Sequence, residues 1–147
     1  MPRLYRIVKD RCASAAFDGE GARRYGGRWN SRGQRATYMA DSIALAALEL
    51  LIHLQSEPVL AVYRLFRLDL AADQIMHLAT TDLPDDWQHQ PAPPATARIG
   101  DEWLDRGLSL ALQVPSVIVP EERNFLLNPA HPDYPTVVQR AWSRPLK

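Results

Sequence analysis

Between Ile43 and Ile52 the chain reads Ile-Ala-Leu-Ala-Ala-Leu-Glu-Leu-Leu-Ile, nine apolar residues around a single carboxylate. Ala and Leu favour the helix and Asp41 or Ser42 supplies an N-cap, so the run predicts a helix over residues 43–54, ended by Pro58. With apolar neighbours on both flanking faces, the Glu49 carboxylate is expected at the edge of the core or in a pocket. Burial there raises its pKa unless a cation or a hydrogen-bond donor offsets the lost hydration. The ordinary alternative is the narrow polar face of an amphipathic helix.

At 147 residues the chain has room for one domain spanning 1–147. Its 46% hydrophobic and 23% charged residues describe a soluble globule and exclude a disordered, collagen-like or disulfide-stapled chain. The single Cys12 allows no internal disulfide and no multi-cysteine metal site, which suits a reducing cytoplasm. The opening MPRLYRIVKDR lacks a signal-like apolar run, and no stretch reaches about 18 uninterrupted apolar residues. A cytoplasmic protein without membrane insertion is expected.

Seventeen basic residues balance seventeen acidic ones, which argues against a strongly basic nucleic-acid binder. Neutrality, however, hides a split. Residues 1–40 carry nine Lys and Arg against three Asp and Glu, a net of +6, so the remainder carries −6. Fifteen of the seventeen cations are arginines, whose planar fork suits phosphate, so an anionic ligand is expected at the N-terminal quarter.

Leu4 to Lys9 reads as a first strand and Phe17 to Gly21 as a turn. Arg28-Trp29-Asn30 and Ala36 to Ala40 read as short extended segments joined by an exposed arginine-rich loop. After the 43–54 helix, Val59 to Leu70 alternates as a half-buried strand, and the proline-rich stretch from Pro84 to Pro94 is a surface connection. Arg98 to Leu112 has near-helical spacing weakened by Gly107; Val114 to Pro120 reads as a buried strand broken by prolines. Glu121 to Tyr134 is a polar and aromatic stretch, and Thr136-Val137-Val138 reads as the last strand. The expected class is mixed α/β in one domain, without the regular alternation of a doubly wound parallel sheet.

Several side chains are candidates for chemistry. Gly26-Gly27 would let a ligand approach the backbone before Arg28, although the spacing is neither a dinucleotide fingerprint nor a phosphate loop, and a surface arginine in a turn is the common outcome. Tyr38 is either core or a stacking platform for a flat ligand. Ser116 lacks the glycine elbow of a hydrolase nucleophile. His53, His77, His89 and His131 show no zinc-protease spacing, so no metal is expected. Asn124 and Asn128 are four apart and would share one face of a helical turn, with turn capping as the alternative.

Taken in order, Tyr5-Arg6, Gly26-Gly27-Arg28-Trp29-Asn30, Tyr38, Glu49, Ser116 after Pro115 and the segment Glu122 to Tyr134 resemble the RES domain family. These are toxin components of bacterial toxin and antitoxin pairs. The resemblance implies an ADP-ribosyltransferase-like fold whose split, twisted sheet forms a cleft for NAD. It makes Arg28, Glu49 and Ser116 the name-giving residues, with Tyr38 the aromatic position and Asn124 in the polar C-terminal stretch. It implies an NAD-depleting activity, NAD being the substrate and no metal being used, and a DNA-binding Xre-type antitoxin that covers the cleft. Toxin surfaces of this kind often pair, which makes a homodimer an expectation, and Trp142 fits either such a contact or the core.

Cleavage of the bond between nicotinamide and ribose builds an oxocarbenium-like sugar, which a carboxylate such as Glu49 would stabilise in a dry site. Tyr38 would stack on the cationic nicotinamide, Arg28 would clamp the pyrophosphate, and Ser116 and Asn124 would orient the ribose or the amide. Transferases that modify arginine carry a second polar residue two positions before the catalytic glutamate, and here Ala47 stands there. Water or phosphate is therefore the simpler acceptor. The alternatives are a protein ADP-ribosyltransferase and a non-catalytic module binding phosphate or nucleic acid.

Overall fold

The computed structural model describes residues 1–54 and 59–147. Seven strands form one open sheet: β1 (Arg3–Lys9), β2 (Thr37–Ala40), β3 (Tyr63–Asp69), β4 (Ile75–His77), β5 (Ala111–Pro115), β6 (Arg123–Leu127) and β7 (Trp142–Pro145). Their spatial order is β4-β5-β6-β2-β1-β3-β7. Neighbours run antiparallel except β4 and β5, which are parallel. Among the described residues four α-helices complete the fold, α1 (Glu20–Tyr25), α2 (Ile43–His53), α3 (Pro94–Arg106) and α4 (Tyr134–Gln139). This is the mixed α/β single domain expected from the sequence, and the doubly wound alternative is absent.

The junction between β1 and β2 decides the shape of the molecule. β1 pairs along its whole length with β3, from Arg3 opposite Asp69 to Lys9 opposite Tyr63, but meets β2 only at Tyr5 opposite Ala40. The sheet therefore splits into the halves β4-β5-β6-β2 and β1-β3-β7. Side chains alternate across a strand, so the sheet has two differently lined faces. Leu4, Met39, Leu68, Phe125, Leu127 and Tyr134 form one core, partly covered by Val137 and Val138 of α4. On the other face Trp29, Leu112, Val114 and Leu126 pack with Trp103 and Leu104 of α3. Among the described residues no helix is long and apolar enough to cross a membrane.

Helix α2 forms as expected, with the Ser42 hydroxyl accepting from the Leu45 N–H as its N-cap; Pro58 lies outside the described residues. Elsewhere the structure corrects the reading. The Phe17 to Gly21 turn leads into an unforeseen helix, α1, which starts after Gly19 at φ 70°. The Val59 strand begins only at Tyr63, because residues Leu60–Val62 form a single 3₁₀ turn. The Arg98 to Leu112 helix begins earlier, at Pro94, and stops at Arg106: Gly107 takes φ 61° as a left-handed cap, freeing Ala111 and Leu112 for β5. Strand β5 in turn ends at Pro115, so the predicted strand through Pro120 is a loop. Thr136-Val137-Val138 is helical, led by Pro135 in the first turn of α4, and the last strand is Trp142–Pro145. Trp142 is 43% exposed on that edge strand, with the Arg67 guanidinium 5.1 Å from its ring centroid.

Candidate active site

A cavity of about 650 Å³ opens where the sheet splits. Its floor is Tyr5, Arg6 and Ile7 of β1 with Tyr38 to Ala40 of β2; one wall is α2, and another runs from Gly19 to Trp29. Val117, Ile118, Gln90 and Ala92 border it from the loops.

Glu49 faces this cavity from α2, and its Oε1 accepts a 2.8 Å hydrogen bond from Asn124 Nδ2 on β6. Burial pushes the Glu49 carboxyl above its usual 4.5. The Asn124 amide, His53 and the Ser116 hydroxyl act in the opposite direction, and Asp41 adds to the rise. His53 lies four residues on, which on a helix places it beside Glu49, and it too lines the cavity. Such a carboxylate keeps its charge at the expense of hydration, the condition under which it acts most strongly on a nearby cation.

Asn124 reaches Glu49 because it lies on a strand rather than on the helical turn its spacing suggested. Asn128 is separated from it functionally: it is buried beyond the end of β6, donating to the Leu104 carbonyl and accepting from the Ala130 N–H. Ser116 is completely buried. Its Oγ accepts from the Ile118 and Val119 N–H groups, each at 3.2 Å, so it ties the loop after β5 and acts on the cleft through Glu49.

Tyr38 supplies the floor. Its hydroxyl donates to Asn30 Oδ1 at 2.6 Å and accepts from the Trp29 N–H at 3.2 Å. The phenolic proton is thus committed, and burial holds the pKa above the ordinary tyrosine value. The ring, not the hydroxyl, is what Tyr38 offers a ligand. Asn30, itself buried, donates through Nδ2 to the carbonyls of Ala22, Ser31 and Gln34 and fixes the whole turn. Gly27 allows this closeness, because a Cβ there would sit 2.6 Å from the Tyr38 hydroxyl. Gly100 of α3 has a similar part, since a methyl at that position would overlap the Trp29 carbonyl.

Arg28 lines the cavity, and its Nη1 donates to the Trp87 carbonyl at 2.7 Å and the His89 carbonyl at 2.9 Å. It thereby holds the proline-rich connection beside the cleft. Its Nε and Nη2 edge makes no hydrogen bond among the described residues. Partial desolvation lowers its pKa, yet a guanidinium stays charged at neutral pH.

The resemblance includes Arg6 in the first strand but assigns it no role. Half-buried in the split, it donates from Nε to the Ala16 carbonyl at 2.8 Å and from Nη1 to the Tyr38 carbonyl at 2.9 Å. The sequence signal was an arginine inside an otherwise half-apolar strand. Asn30 and His53 were also missed as site residues; for His53 the signal was its four-residue spacing from Glu49, whereas for Asn30 no local signal exists. Among the described residues no three His, Cys, Asp or Glu side chains come together as a metal site.

The sequence matches the RES domain over residues 3–147. The chain belongs to the RES family. Toxin Res of Yersinia enterocolitica is 46% identical over 133 residues, covering 90% of this chain and 88% of that protein. Toxin Res of Photorhabdus laumondii is 40% identical over 131 residues, covering 89% and 84%. The Prs ADP-ribosylating toxin of a Sphingobium strain is 39% identical over 136 residues, covering 88% and 84%. The relatives of this RES domain are thus toxins by name, and they align with it over most of both lengths.

Proposed function

We propose that this protein is a toxin that depletes NAD by cleaving the bond between nicotinamide and ribose. The observation that carries the reading is Glu49, a desolvated carboxylate hydrogen-bonded to Asn124 in a cleft floored by the Tyr38 ring. In the reaction the C1′–N bond breaks with its electron pair moving to the nicotinamide, which leaves neutral. Positive charge grows on the ribose, and the ionised Glu49 stabilises it while accepting a hydrogen bond from a ribose hydroxyl. Water then bonds to C1′ and releases a proton to solvent, or a phosphate oxyanion bonds there without proton loss.

Asn124 holds the carboxylate in place, and Ser116 fixes the adjoining loop and favours the charged form. The Tyr38 ring stacks on the cationic nicotinamide. The unpaired edge of Arg28 takes the pyrophosphate in a bidentate manner. No metal takes part. The toxin acts in the cytoplasm, does not bind nucleic acid directly, and pairs as a homodimer. It is restrained by a DNA-binding antitoxin of the Xre type that covers the cleft.

Incubation of the purified protein with NAD should release free nicotinamide, and Glu49→Ala should reduce the rate at least about a hundredfold. Release equal to that of the variant would overturn the reading. The name of the Sphingobium relative favours a second reading, transfer of ADP-ribose to a protein. Labelled ADP-ribose appearing on an extract protein as fast as nicotinamide is released would establish that reading instead. Residue Ala47 weighs against it, since it provides no polar group to activate a protein acceptor.

A further inference from the structure

Tyr25 takes no part in the reaction described above, yet it borders the same cavity. It is 74% exposed, and among the described residues its hydroxyl makes no hydrogen bond and its ring has no aromatic neighbour. On the cavity wall such an open ring presents its face to whatever enters the cleft. The wall beside it carries Gly21, Ala22, Gly26 and Gly27, so little side-chain bulk keeps a flat molecule from the backbone.

The ring also stands on a fixed base. α1 ends at Tyr25 because Gly26 turns to φ 70°, with its N–H bonded to the Ala22 carbonyl at 2.8 Å. The Gly33 N–H reaches the Arg23 carbonyl, and Asn30 holds the Ala22 carbonyl. Arg23 pairs with Glu20 through two 2.7 Å hydrogen bonds. A ligand stacking on Tyr25 therefore has little backbone to order.

A dinucleotide has two bases. With nicotinamide at Glu49 and Tyr38, the second base must lie elsewhere along the cleft. Trp29 is buried, whereas Tyr25 is an open ring on the wall that does not carry Glu49. We propose that Tyr25 is the stacking platform for the second base of the dinucleotide, making it a determinant of substrate specificity. This rests on the reading of the cleft as an NAD site.

The test compares NAD with nicotinamide mononucleotide, which has the scissile bond but no second base. Tyr25→Ala should raise KM for NAD about tenfold with little change in kcat, while KM for the mononucleotide stays at the wild-type value. Tyr25→Phe, which keeps the ring, should restore the NAD value. Equal changes for both substrates, or none for NAD, would overturn the proposal. Calorimetric titration with AMP gives a readout independent of turnover, and Tyr25→Ala should weaken binding about tenfold. If the wild-type protein releases no nicotinamide, the NAD-cleaving reading fails and the titration alone decides for Tyr25: weaker AMP binding by the variant upholds the stack, and equal or absent binding in both proteins overturns it.

Discussion

Helix α2 and the segment from Gly19 to Tyr38 border the same cleft and hold their functional groups by opposite means. On α2 the candidate group is one carboxylate on a helix whose other residues, His53 apart, are apolar, and it accepts a hydrogen bond from an amide of β6. On the other side, Arg28 and Tyr38 are placed by a web of main-chain carbonyls gathered by Asn30, and by glycines where side chains would collide. The first wall holds a group that its surroundings disfavour, whereas the second is held by its own polar contacts. Substitutions on the two walls should therefore change stability with opposite sign even where both abolish turnover.

The largest effect on stability is expected from Asn30→Ala. It strips Tyr38 of its acceptor and three part-buried carbonyls of their donor, which should cost about 3 kcal/mol, measured by urea unfolding. Loss well under 1 kcal/mol would mean that the turn holds itself without the side chain.

Glu49→Gln should do the reverse on the α2 wall. The folded-state pKa of Glu49 is raised, so ionising it costs stability: this group's contribution is fully present below the usual 4.5 and is lost as pH rises through the raised value. Glutamine removes the charge while keeping an acceptor for Asn124. The thermal midpoint of the variant should exceed that of wild type at neutral pH, and the gap should close as pH falls below 4.5. A lower midpoint at neutral pH would show that the charge is satisfied rather than strained.

The smallest expected effect tests the link between Glu49 and β6. Asn124→Ala removes a hydrogen bond that favours the ionised form, so the acid limb of kcat/KM against pH should move to higher pH. In wild type that limb should already lie above 4.5. An unmoved limb would separate Asn124 from the titration of Glu49.

The same contrast explains what the sequence revealed. Helix α2 and its one charge were legible because an apolar run and a cap are local properties. Strand β6 was not, because it opens with two polar residues, Asn124 turned to Glu49 in the cleft and Arg123 bonded to the Pro120 and Glu122 carbonyls, and these break the expected pattern of a buried strand. Thr136-Val137-Val138 has strand-like composition, yet Pro135 begins a helical turn and the two valines cover the core from α4. The role of Asn30 depends on carbonyls at Ala22, Ser31 and Gln34 that only the folded loop gathers, so no spacing announces it. Composition leaves Tyr38 open between core and stacking platform; in the fold its ring packs beside the Trp29 cluster and also floors the cleft.

The single residue pair joining β1 to β2 carries one last consequence. Elsewhere in the sheet, the distance between strands is fixed by the repeat of the peptide backbone, which no substitution alters. At the split, Arg6 spans the gap from β1 to the Tyr38 carbonyl of β2. The gauge of the cleft is thereby set by one backbone pair and one side chain, so a point mutation at Arg6 can alter a dimension that in a continuous sheet is beyond the reach of the genetic code.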